Sequence, residues 1–186
     1  MRATWLILFA LSLVRPLLAQ ELPLKIGMLI PYGTQIGGEV GTAFSVGEWE
    51  TDDRMHQLWL APQLGSFTFP GVESNFLLQT DLEYQLRSRE KRLFPKAALG
   101  IGYLLGLERV DGVVDLGNGG ISHANRVLNY LLPSLSLGAG FRSARRNLEY
   151  HFAATYGQKV GFSLPKEAFF GLEMGLVMFL NDSSNE

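Results

Sequence analysis

Few residues in this chain could do chemistry, and their spacing narrows what that chemistry could be. There are three histidines, His56, His123 and His151, and no cysteine. None of the histidines stands in an HxH or HxxxH pair, so local spacing supports no metal centre. The missing thiols exclude disulfides, thiolate metal sites and lipid attachment through an N-terminal cysteine. Ser122-His123 sets a nucleophile beside a base, but neighbours on an extended chain point apart and no acid partner is marked, so the pair reads as a polar loop dipeptide. Gly117-Asn118-Gly119-Gly120 does not link a strand to a helix as a phosphate loop must, and reads as a flexible tip. No catalytic motif, cofactor or metal is expected. With Lys+Arg 16 against Asp+Glu 18, the basic excess that phosphate backbones require is missing, so nucleic acid is not an expected partner.

What remains is a set of charged residues spread along the chain, and the elements that carry them alternate with a period of two. In Ser74 to Arg87, Phe76, Leu78, Thr80, Leu82, Tyr84 and Leu86 form one set, and Leu77, Gln79, Asp81, Glu83, Gln85 and Arg87 the other. A helix would scatter the apolar set around its axis, whereas an extended chain puts it on one face. The same design recurs at 22–30, 37–47, 56–69, 97–107, 127–142, 148–156 and 168–180, which predicts eight strands. Pro62 inside the third demands a bulge or a locally unpaired backbone. Pro70-Gly71 marks a turn, 48–55 a polar connection, and 108–126 and 157–166 loops, the former mobile by composition.

Met1 to Ala19 reads as an export signal: Arg2 precedes an apolar run, Ala3 to Val14, that is too short to span a bilayer comfortably, and Ala19 offers a cleavage point. Loss of Arg2 and Arg15 with this leader takes the formal charge from −2 to −4. Past residue 19 no apolar run approaches the roughly 18–20 residues of a transmembrane helix, so insertion must use strands. The expected organisation is a leader over 1–19 and one β domain over 20–186.

Two-faced strands build either a soluble barrel with the apolar face inward or a membrane barrel with it outward. The second face decides for the membrane. Gly100, Gly102, Gly106, Ser134, Ser136, Gly138, Gly140, Gly171 and Gly175 are too small to serve a solvated sheet face. They suit the cramped interior of an eight-stranded barrel. Phe67, Phe69, Phe76, Phe94, Phe141, Tyr156 and Phe179 fall near predicted strand ends, where membrane girdles sit. The interior then receives Glu39, Gln63, Asp81, Glu83, Gln85, Arg87, Lys96, Arg142, Glu149, His151 and Glu173. Buried charges must pair, so Asp81, Glu83, Glu149 and Glu173 are expected to meet Arg87, Lys96, Arg142 and His151.

On the export signal, the dyad repeats and the loop asymmetry, the chain resembles the family of small eight-stranded outer-membrane β-barrel proteins, with OmpA-type and OmpX-type barrels among them. The resemblance implies an all-β, up-and-down antiparallel eight-stranded transmembrane β-barrel in the outer membrane of a Gram-negative envelope, a monomer with membrane lipid around it. It also implies a terminal aromatic residue read by the outer-membrane insertion machinery. Here Phe179 is followed by Leu180 to Glu186, so that signal is displaced. The role expected is structural, surface-loop or envelope-integrity. A narrow transport or ligand-binding barrel, a lipid-modifying enzyme, and a soluble periplasmic or secreted barrel are the alternatives.

Overall fold

A computed structural model describes residues 23–113, 121–144, 147–161 and 166–179; the leader expected over 1–19, the glycines at 117–120 and the residues after Phe179 lie outside them. Among the described residues every regular element is a strand: β1 (Pro23–Pro31), β2 (Ile36–Thr42), β3 (Phe44–Thr51), β4 (Arg54–Phe69), β5 (Glu73–Ser88), β6 (Leu93–Val113), β7 (Ile121–Arg142), β8 (Leu148–Gly161) and β9 (Glu167–Phe179). Neighbours pair antiparallel in the order β2-β1-β9-β8-β7-β6-β5-β4-β3. Because β2 also pairs with β4, the ring closes through the β1–β2–β4 ladder.

β2 and β3 are two halves of one bent strand. β2 follows the outer half of β4 (Ile36 opposite Thr68, Gly41 opposite Gln63) and β3 the other half (Phe44 opposite Leu60, Thr51 opposite Arg54). The interruption at Ala43 faces the Pro62 region, where β4 has no N–H to give. A bulge between Ser45 and Gly47 completes the bend. Counted this way the barrel has eight staves, as the alternation predicts.

The strands outrun their sequence signals at three connections. The expected loop over 108–126 begins and ends as ladder, with Glu108 opposite Arg126 and Val113 opposite Ile121, so β6 and β7 extend as a long hairpin. β8 likewise reaches Gly161, and Lys159 lies opposite Glu167. The polar connection expected over 48–55 shrinks to Asp52-Asp53, with Asp52 at φ 53°, a left-handed conformation that aspartate tolerates. The expected turn at Pro70-Gly71 is type II: Val72 N–H donates to the Phe69 carbonyl at 3.0 Å and Gly71 has φ 80°. Pro23, Phe179, the turns at 52–53 and 89–92, and the facing ends of β7 and β8 share one end of the barrel. The turns at 32–35 and 70–72 and the long β6–β7 hairpin share the other, here the loop end.

Polarity is inverted relative to a water-soluble protein. Leu64, Phe76, Leu78, Leu99, Ile101, Leu137, Phe152 and Phe170 are exposed around the whole circumference, while Asp81, Glu83, Arg87, Lys96, Glu149 and Glu173 are buried. Burying charge while exposing aliphatic side chains is stable only where the outside solvent is lipid. Leu99, 64% exposed near the middle of that belt, makes the prediction concrete. Leu99→Arg should cost about 2–4 kcal/mol, the penalty of a cation near the bilayer midplane. Urea unfolding from lipid vesicles, followed by tryptophan fluorescence, measures it.

Candidate functional site: the charged lumen

The barrel interior is stacked in three levels. At the loop end Leu29, Phe67, Leu77, Leu104, Tyr130, Leu132 and Phe169 form an apolar cluster that closes the lumen. Phe67 and Phe169 pack with ring centroids 6.2 Å apart. Above the cluster, Tyr32 lies edge-on to Phe169 (5.6 Å, 76°) and donates to the Ala168 carbonyl at 3.1 Å. Partial burial, with Glu167 and Glu73 nearby, pushes the Tyr32 hydroxyl up to about 12, so it remains a donor at any physiological pH.

The middle level is charged. The Lys25 ammonium donates to Glu83 Oε1, and Lys96 reaches Glu83 Oε2 at 3.4 Å, so one carboxylate holds two lysines. Asp81 has no cation of its own; it accepts from Gln79 at 2.6 Å and Gln63 at 3.1 Å. His151 Nε2 lies 2.9 Å from Glu173 Oε1, and a carboxylate oxygen of Glu39 completes a group of three within 4.8 Å. Ser136 and Thr155 share a hydrogen bond of 2.7 Å on the β7–β8 wall.

The third level closes the terminal end. Arg87 makes a two-pronged pair with Glu149 (2.5 and 2.8 Å), donates to Gln85 Oε1 through Nε (3.0 Å) and Nη2 (2.6 Å), and lies 4.2 Å over the Phe94 ring. Arg142 adds a 3.3 Å contact to Glu149, but its side chain is 45% exposed at the rim. Between Lys25, Trp59, Glu83, Arg87, Glu149 and Phe179 about 20 Å³ remains, room for about one water molecule.

Of the residues expected inside, Gln63, Asp81, Glu83, Arg87, Lys96, Glu149, His151 and Glu173 are buried; Glu39 and Gln85 are half-buried. The expected pairing needs two corrections. Asp81 is satisfied by amides instead of a cation, because Gln63 and Gln79 stand closer to it than any base. The principal partner of Glu83 is Lys25, which the expected network lacks. Lys25 falls between Leu24 and Ile26 in the outward set of β1, so its phase marked it for the lumen. Two aromatics also differ: Phe67 and Phe94 point inward, 2% and 4% exposed, instead of joining a girdle. Nearness to a strand end suggested the girdle, but Phe67 shares the phase of Gln63, and Phe94 that of Lys96. His56 takes no part. It sits outside, stacked on Trp49 (5.2 Å, 8°) with Nδ1 2.7 Å from the Tyr84 hydroxyl. In the β6–β7 extension the Cα of Ser122 lies opposite Gly112 and that of His123 opposite Asp111.

Small residues make room for the charged ones across the ladder. Glu39 faces Gly27 and Gly65, Asp81 faces Ala61 and Gly100, Glu83 faces Ala98, Lys96 faces Gly138, and His151 faces Gly140 and Gly175. At Gly138 an added Cβ would sit 2.1 Å from the Phe152 carbonyl oxygen and 2.8 Å from Ala153 Cβ, so backbone itself blocks a side chain. Gly138→Leu should therefore destabilise by about 1–3 kcal/mol, the usual cost of overpacking. The check is the urea midpoint beside that of Leu137→Ala, which truncates a side chain on the lipid face.

No protein-family model matches the chain, and no curated protein matches it in sequence. Solved structures do match in shape. One is the outer membrane enzyme PagL, at 10% identity and a TM-score of 0.51, over 84% of this chain and 98% of that one. Another is Neisserial surface protein A, at 8% identity and a TM-score of 0.54, over 85% of this chain and 95% of that one. The fold is that of a small outer-membrane β-barrel. At 8–10% identity the likeness is one of architecture, and both chains are covered almost end to end. In that setting the apolar belt meets lipid.

Proposed function

We propose that this chain is a monomeric, non-enzymatic outer-membrane barrel that supports the envelope and presents its loop end at the surface of a Gram-negative cell. The observation carrying this reading is the filled lumen. An apolar cluster stands at one end, an ion-paired level in the middle and the Arg87–Glu149–Phe94 closure at the other, with room for about one water between the last two, which suits a scaffold better than a solute path. Its partners on this reading are membrane lipid and the insertion machinery, with Phe179 the nearest aromatic to the C-terminus that the machinery could engage.

Purified barrel in planar bilayers should show no steady conductance above that of the lipid; stable unitary currents would refute the scaffold reading. An epitope inserted after Gly71, in the exposed type II turn, should be stained by antibody on intact cells. Staining only after permeabilisation would put the loop end on the wrong side.

A further inference from the structure

We propose that Glu39, His151 and Glu173 form a binding site for one divalent transition-metal ion, of which Zn²⁺ is the representative, inside the barrel. The three come from β2, β8 and β9, and each offers one ligand atom, all within 4.8 Å of one another. An ion held at about 2.0–2.2 Å by each needs ligand atoms about 3.3 Å apart, so side-chain rotations of about an ångström close the set. Two carboxylates and an imidazole suit zinc and its first-row neighbours, whereas magnesium and calcium prefer oxygen alone.

Three independent observations point to a ligand there. First, the His151 side chain is only 4% exposed, yet neither ring nitrogen completes a hydrogen bond. Nε2 is 2.9 Å from Glu173 Oε1 without the directed N–H that a bond requires. A buried imidazole without a bonded partner is destabilising, and a metal at that nitrogen would satisfy it. Second, the charges do not balance. Among the described residues of the middle level, Glu39, Asp81, Glu83 and Glu173 face only Lys25 and Lys96 as permanent cations, and both lysines contact Glu83. Carboxyl groups thus outnumber fixed cations in a low-dielectric interior, a deficit of positive charge that a bound cation would fill. Third, the barrel wall is cut away beside these residues. Gly27 and Gly175 lie opposite each other on β1 and β9; Gly27 also faces Glu39 across β2, and Gly175 faces His151 across β8. A Cβ on Gly27 would lie 2.4 Å from Glu39 Oε1, and one on Gly175 2.5 Å from His151 Cε1. Adjacent glycines thus keep open the space that the two side chains enter.

The test uses untagged full-length barrel, refolded into detergent with ZnCl₂ present so that the ion need not cross a packed lumen, then dialysed and assayed for metal. One Zn²⁺ per folded chain is expected, retained against millimolar Mg²⁺. His151→Ala and Glu39→Gln should each weaken binding at least tenfold, while His56→Ala, on the outer surface, should bind as the parent does. Where a variant fails to show the heat-dependent gel shift of a folded barrel, Co²⁺ in the parent protein replaces it. Visible d–d absorption that Zn²⁺ abolishes supports the site, and its absence contradicts it. Folded parent without stoichiometric Zn²⁺, equal binding by His151→Ala, or loss of binding in His56→Ala would each overturn the proposal. In the first case protons on the cluster must supply the missing charge.

Discussion

Glu83→Gln should unfold or nearly unfold the barrel, whereas Asp81→Asn two residues earlier should be mild. Both side chains are buried carboxylates, 3% and 4% exposed, but their partners differ in kind. Glu83 holds Lys25 on one oxygen and Lys96 on the other. Neutralising it leaves two buried ammonium groups without a contacting carboxylate, and leaving a buried charge uncompensated costs about 3–5 kcal/mol. Asp81 is held by the side-chain amides of Gln63 and Gln79, which can turn over to meet an asparagine, so the change is expected to stay within about 1.5 kcal/mol, the net worth of a hydrogen bond. Urea midpoints of the two variants in one lipid decide the matter. Equal losses would mean that total lumen charge, not specific pairing, governs stability.

The second large effect is at the closure of the terminal end. Glu149→Ala leaves Arg87 buried with Gln85 and the Phe94 ring as its remaining contacts, and is expected to cost about 3–5 kcal/mol. Arg87→Ala should cost less, since Arg142 still touches Glu149 from the rim at 3.3 Å. Replacing both partners with apolar residues, Arg87→Met with Glu149→Leu, removes the uncompensated charge along with the pair and should recover most of the loss. A double-mutant cycle built from Arg87→Met, Glu149→Leu and their combination should give a coupling at or above the upper end of the roughly 0.5–3 kcal/mol usual for residues in direct contact. Additive single losses would show that the two side chains act independently despite the 2.5 Å contact.

These expectations differ in how far they were readable from sequence. Strand identity and facing were legible because a period of two survives locally: Ser74 to Arg87 alone separates lipid-facing Phe76, Leu78 and Leu82 from lumen-facing Asp81, Glu83 and Arg87. Phase also encodes the inward positions of Lys25, Phe67 and Phe94, against the apolar run around Lys25 and the strand ends near the two phenylalanines. Partner choice was not legible. Lys25 meets Glu83 across 58 residues of sequence, and Arg87 meets Glu149 across 62. Such contacts depend on barrel closure and stagger, which no local pattern encodes. The group around His151 is likewise invisible to local spacing, since its members come from three strands. Loop lengths were misjudged because an established ladder carries on through polar residues once two strands are in register, as at Glu108 opposite Arg126 and Lys159 opposite Glu167.

The central claim is that the apolar face of every strand meets lipid and the charged face is enclosed. The chain has no cysteine, so single cysteines at Leu99, Ile101 and Leu137 on the outside, and at Ser136 on the inside, give clean spin-label sites. In reconstituted vesicles, electron paramagnetic resonance should find the three outer labels readily relaxed by membrane-dissolved oxygen and shielded from a water-soluble nickel chelate, with the Ser136 label reached poorly by both. Ready access of the nickel chelate to Leu99, Ile101 and Leu137, with oxygen giving no preference, would contradict the claim.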